Sequence, residues 1–257
     1  MSFRLYADLG NMTLHWGIFR DGQWLAFSRI SSSEALSDRC AASLNCMLEE
    51  TGESLDRHSG GLLCSSSPRL TGEFLESLKE RLSIVLPEVS PEMLAGVPTL
   101  YHDREQIGPD RLVNAAAVRA HYECPAIVAD LGSCITVDLV DADGVLVGGA
   151  IAPGVPTMKA GLIAQTPHLR SALDRLAPPA DLTSPGRSTA ECISLGLYTS
   201  LIATTRDLCQ NLAADLNEVR ILLTGGDAAW VRSATGFGDV LDETLTLKGL
   251  QSLDRDD

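Results

Sequence analysis

Two carboxylates occupy the same place in a repeated string, Ala7-Asp8-Leu9-Gly10 and Ala129-Asp130-Leu131-Gly132. A second identity follows each at an equal distance, Asp21-Gly22 in one copy and Asp143-Gly144 in the other. One ungapped shift therefore lays copy on copy. Glycine in a tight turn lets a phosphate reach the turn N–H groups, and an Asp at a strand end can hold a hydrated cation. A single such turn is an ordinary hairpin; its repetition in register points to a metal-bound polyphosphate held from both sides. Between the copies lies the unrepeated Gly108-Pro109-Asp110-Arg111, just ahead of an Ala-rich helical stretch. Asp110 is there either an N-cap, a role worth about 1 kcal/mol, or a carboxylate kept ionised by the helix end to serve as general base toward a hydroxyl. Arg111 offers a planar fork for a substrate carboxylate.

Two glycine clusters have weaker signals. Gly148-Gly149-Ala150-Ile151-Ala152-Pro153-Gly154 is either a backbone surface lying close to something bulky or a tight strand-to-helix connection. In Thr224-Gly225-Gly226-Asp227, after a strand, the glycines can pack beneath a nucleotide. The histidines (15, 58, 102, 121 and 168) lack ligand spacing and are read as structural or surface residues. There is no GxSxG elbow and no GxxxxGK[ST], which excludes a P-loop kinase by motif.

The elements that must position these residues are legible from periodicity. Strands are expected at 3–8, 13–20 and 23–29, with turns at Gly10 and Asp21-Gly22. A helix over 33–51 starts in the Ser31-Ser32-Ser33 region. Leu62-Leu63-Cys64 is a short buried strand, 71–82 an amphipathic helix, and the stretch punctuated by Pro87, Pro91 and Pro98 a loop with two short strands. Arg111 to Tyr122 is helical and stops before Pro125. Strands 126–131, 134–141 and 145–151 repeat the meander. A helix near 155–164, a Pro-rich loop over 167–187, a long helix over 189–215, a strand at 219–224 and a further helix complete the chain. The fold class is α/β: one mixed-sheet half used twice, 1–118 and 119–257.

Composition bounds the rest. With 257 residues and 45% apolar content the chain can bury one large core or two small ones. No apolar run is long enough to span a membrane, and the carboxylate at position 8 breaks any signal peptide, so a cytoplasmic protein is expected. A net charge of −14 argues against a nucleic-acid surface. Seven scattered cysteines without a CxxC pair read as reduced and mostly buried. Asp254, Asp256 and Asp257 read as a solvated, frayed tail.

Taken in order, these pieces resemble the type III pantothenate kinases, of the acetate and sugar kinase/Hsc70/actin superfold. The resemblance rests on Asp8-Leu9-Gly10-Asn11, Tyr101, Gly108-Pro109-Asp110-Arg111, and Asp130-Leu131-Gly132-Ser133 with Thr136 and Asp138. It continues through Gly148 to Gly154, Thr189 before Gly196, Thr224-Gly225-Gly226, and the closing Asp242-Glu243-Thr244-Leu245-Thr246-Leu247-Lys248-Gly249-Leu250. It implies two duplicated ribonuclease H-like halves and ATP-dependent phosphorylation of pantothenate to 4'-phosphopantothenate, the first step toward coenzyme A. It further implies that Asp110 is the base. Asp8, Leu9, Gly10, Asn11, Met12, Thr13, Leu14 and His15 would line the ATP phosphates, with Ser133 also facing the nucleotide. Tyr101, Gly108, Pro109, Asp110, Arg111 and Thr189 would hold pantothenate. Asp130 would bind a monovalent cation, potassium or ammonium, magnesium would accompany ATP, and the protein would be a homodimer with Thr189 serving the partner's site.

Three departures from the family pattern stand out. Met12 occupies the place after Gly-Asn where the family has Thr, with Thr13 one position later. Ser133-Cys134 replaces Thr-Ala, and Pro109 replaces a small residue. Met12 supports an alternative, a non-catalytic regulatory accessory protein of the same fold.

Overall fold

A computed structural model describes residues 2–32 and 36–254. The chain divides into two compact units, Met1–Tyr122 together with Thr244–Asp257, and Glu123–Glu243.

The first unit is built on β1 (Phe3–Leu9), β2 (Thr13–Arg20) and β3 (Gln23–Ser31), an antiparallel meander. After α1 (Leu36–Thr51) the chain adds β4 (His58–Ser65) parallel to β1, giving the order β3-β2-β1-β4. α2 (Pro68–Leu82) follows, then α3 (Pro91–Ala95) and α4 (Pro109–His121). Alternation along β1 and β2 sends Phe3, Leu5, Leu14, Trp16 and Ile18 into one core with Leu44, Met47, Phe74 and Leu78 of α1 and α2. Trp16 meets Phe74 edge-on, with ring centroids 6.0 Å apart.

The second unit repeats the plan: β5 (Ala126–Leu131), β6 (Cys134–Val140) and β7 (Leu146–Pro153) form the meander. α5 (Val155–Gln165), α6 (Arg170–Leu173) and α7 (Thr189–Ala213) precede β8 (Arg220–Thr224), parallel to β5. α8 (Ala228–Thr235) and the two-residue β9 (Val240–Leu241) complete the order β7-β6-β5-β8-β9. The correspondence extends to register. Ala7 and Ala129 both lie beside a leucine of the parallel strand, Leu63 and Leu223. Leu223 then pairs with Leu241 of β9, and Leu63 with Glu88 as an isolated parallel bridge. Each unit is a ribonuclease H-like sheet with flanking helices.

The structure differs from the sequence reading in several places. The expected division at 118/119 falls inside α4, and the C-terminal helix α9 (Leu245–Leu253) packs with the first unit. It does so because its apolar residues Leu245, Leu247 and Leu250 fill the space against α4, β1 and β4. Asp254 is no frayed tail: Arg4 donates to its Oδ1 at 2.7 Å and the Tyr6 hydroxyl to its Oδ2 at 2.9 Å. Asp256 and Asp257 lie outside the described residues, as does the expected helix start at Ser33. The two short strands expected after Pro87 reduce, at Glu88, to the bridge with Leu63, and Pro91 opens a helix because proline suits the first helical position. The loop after 167 carries a 3₁₀ turn (Pro167–Leu169) and α6. Of the seven thiols, all free, Cys46, Cys134 and Cys192 are exposed, so burial is not the general rule.

Candidate functional site

Asp8 lies half-buried as the penultimate residue of β1, paired in register with His15 of β2. The turn between them closes with Gly10 N–H donating to the Thr13 carbonyl at 2.9 Å. Its carbonyls are then taken up one after another. Ser66 N–H and the Ser65 hydroxyl donate to the Leu9 oxygen at 3.1 and 3.3 Å. The Ser32 hydroxyl reaches the Gly10 oxygen at 3.2 Å, and Ser32 N–H the Met12 oxygen at 2.9 Å. The Ser67 hydroxyl donates to Asn11 Oδ1 at 2.9 Å. A turn whose acceptors are satisfied within the protein is set in one conformation before any ligand arrives. Met12 contributes only its carbonyl to this bracing, and its side chain is 51% exposed. Met12 therefore places an exposed side chain on a turn that is held by serine hydroxyls and backbone bonds.

α4 begins with Gly108 as its cap and Pro109 at the first helical position, whose fixed φ suits a helix start. Asp110 is accordingly in the first turn and is not the cap. Its Oδ1 accepts the Arg111 N–H at 2.9 Å. Burial raises the Asp110 pKa above the ordinary 3.8, while the Arg111 amide and guanidinium pull the other way. The net direction is upward, which brings the carboxylate closer to the basicity a proton acceptor needs. Arg111 itself is buried; its Nη1 donates to the Tyr101 hydroxyl at 2.7 Å, and its guanidinium carbon lies 5.2 Å from the Tyr101 ring centre. Tyr101, Asp110 and Arg111 thus form one hydrogen-bonded group.

In the second unit Asp130 is placed as Asp8 is, half-buried at the end of β5. Its register partners are Thr136 on β6 and Thr224 on β8. Both neighbours carry hydroxyls, and oxygen donors with a carboxylate are the chemistry that hard cations take. The turn after it closes with Gly132 N–H to the Cys134 carbonyl at 3.0 Å. The Ser133 carbonyl accepts both Gly154 N–H at 3.0 Å and the Thr157 hydroxyl at 2.5 Å. Gly225 has φ +92°, and a Cβ there would stand 2.4 Å from Asp130 Oδ1 and 2.5 Å from the Leu131 amide nitrogen. Only glycine fits. The segment after β8 therefore closes down on the Asp130 turn, and Asp227 N–H bonds the Leu131 carbonyl at 2.9 Å. Burial also raises the Asp227 pKa.

These features can be set beside known proteins. A family model described as type III pantothenate kinase matches residues 4–211. The chain belongs to the type III pantothenate kinase family. A type III pantothenate kinase of Rubrobacter xylanophilus is 34% identical over 251 residues, covering 96% of this chain and 95% of that one. A type III pantothenate kinase of Dehalococcoides mccartyi is 30% identical over 254 residues, at 98% and 97% coverage. Among solved structures, a putative 2-dehydro-3-deoxygalactonokinase from Sinorhizobium meliloti aligns with a TM-score of 0.59 at 13% identity, covering 97% of this chain and 95% of that one. At that identity the likeness speaks for the fold alone.

For a type III pantothenate kinase the placement of the expected residues is informative. Arg111 bonds both Tyr101 and Asp110, with Gly108 and Pro109 supplying the helix start. Asp8 to His15 form a separately braced turn in the same unit, while Asp130 and Ser133 sit on the equivalent turn of the other. Thr189 stands exposed as the first residue of α7, after the cap Ser188. Sequence reasoning missed the serines. Ser65-Ser66-Ser67 read as a strand end, although a hydroxyl run just before a Pro-led helix was a signal. It also missed Asn114, a polar residue in an Ala-rich buried helix, four residues past Asp110 and hence on its face.

Proposed function

We propose that the protein transfers the γ-phosphoryl group of ATP to the primary hydroxyl of pantothenate, giving 4'-phosphopantothenate and ADP in coenzyme A biosynthesis. The observation that carries this reading is the Tyr101–Arg111–Asp110 group at the start of α4, with the Asp110 pKa pushed upward by burial. Asp110 accepts the hydroxyl proton as the new P–O bond forms. Arg111, steadied by Tyr101, places a guanidinium charge beside the pantothenate carboxylate. Phosphoryl transfer asks the protein for positioning and charge stabilisation more than covalent work, which suits a site of braced turns. The Asp8–His15 turn and Ser133 serve the ATP phosphates. Magnesium, arriving with ATP, neutralises phosphate charge, and Asp130 with its threonine neighbours fits potassium or ammonium. The protein acts in the cytoplasm as a homodimer, with Thr189 completing the partner's pantothenate site.

Purified protein given magnesium-ATP, potassium and pantothenate should yield phosphopantothenate by mass. Replacing potassium by sodium should reduce the yield if Asp130 holds the cation. No product at saturating ATP would sink the reading and favour the accessory role.

A further inference from the structure

We propose that Thr246, on the C-terminal helix α9, is a positioning residue that fixes the rotation of α4 and thereby the aim of Asp110. The proposal rests on Asp110 being the base.

The Thr246 hydroxyl donates to Asn114 Oδ1 at 2.9 Å, and the two residues are only 7% and 3% exposed. Asn114 follows Asp110 by one helical turn on the same face. Beside this bond the helices meet backbone to side: a Cβ on Gly249 would lie 2.1 Å from the Val113 carbonyl oxygen. At the far end of α4, His121 Nε2 and the Ser252 hydroxyl are 3.0 Å apart, and Lys248 Nζ lies 5.9 Å from the centre of the Tyr122 ring.

These contacts differ in kind from the leucines around them. Apolar packing is non-directional and tolerates a small rotation of one helix against another. A buried hydrogen bond and a backbone approach without Cβ do not. The end of α9 is fixed independently by Asp254, which takes Arg4 and Tyr6 of β1. Arg4, Tyr6 and Asp8 alternate along β1 and so share one face. α9 therefore links the strand that ends in Asp8 to the helix that begins at Asp110. A shift of about 1 Å at a reacting group can cost ~10²-fold in rate, so the directional contacts have something to act on.

Thr246→Val keeps the shape of the side chain and removes its hydroxyl. In the full-length protein it should lower kcat by about tenfold, leave ATP affinity by calorimetry unchanged, and shift the acid limb of the pH–rate profile. Thr246→Ser should restore kcat and the parental pH profile. Gly249→Ala, which pushes α9 from α4 and so strains the Thr246–Asn114 bond while keeping both of its side chains, should show the same kcat-selective loss. Parental kcat in Thr246→Val, or a Thr246→Ser as impaired as Thr246→Val, would overturn the proposal. Asp110→Asn measured alongside separates the two claims. If it is inactive while Thr246→Val turns over normally, only the positioning role falls; if it is active, the reading of Asp110 as base falls first.

Discussion

On the proposed mechanism, Asp110 and Met12 decide how well this chain performs the reaction. Asp110 must be ionised to accept a proton, and its pKa is raised from 3.8 by burial. The acid limb of kcat/KM should therefore fall at a pH above the ordinary aspartate value, with activity lost as pH drops through it. A limb at or below 3.8 would contradict the burial argument. Met12 is exposed on a turn braced without its side chain, so Met12→Thr should tighten ATP binding by about ten- to a hundredfold at most, the scale of one added hydrogen bond to a charged group. Isothermal calorimetry of the two proteins checks this; a gain of several hundredfold would mean that the native turn is defective.

At the scale of elements, the two meanders and the Ala-rich body of α4 were legible in the sequence because their signals are local. Asp-Gly turns and alternation each act within a few residues, whereas the start of α4 at Pro109 was read two residues late, at Arg111. The serine bracing was not legible, since Ser32 and Ser65 to Ser67 reach a turn that is distant in sequence. Ser67→Ala should raise the KM for ATP with little change in kcat under saturating ATP, because it loosens Asn11 and not Asp110. Equal loss in both parameters would argue that the serine acts elsewhere. A second element-level test concerns β4. The His58 ring packs against Phe3 at 5.6 Å, and burial lowers its pKa from 6.5. The unfolded chain then takes up the proton first, so stability should fall as pH drops below 6.5 and level off beneath the lowered value. Thermal melts of the parent and of His58→Phe across that range test this, and the variant's curve should be the flatter one.

At the scale of the whole molecule, the repeated Asp-x-Gly turn announced two like halves, and the register correspondence of Leu63 with Leu223 bears that out. The last helix was not among the expected elements. Its burial depends on partners distant in sequence, and α9 packs with the first unit. Truncation after Glu243 should therefore speed hydrogen exchange in α4 and β1 while leaving β5 and β8 protected; the opposite pattern would place α9 with the second unit. The proposed chemistry converges on one carboxylate, and a single comparison tests it most directly. Phosphopantothenate formation by Asp110→Asn and by the parent should be measured at saturating magnesium-ATP and pantothenate. A loss of about 10²–10⁴ in kcat with ATP affinity retained is predicted for a missing general base; parental turnover by Asp110→Asn would contradict the account.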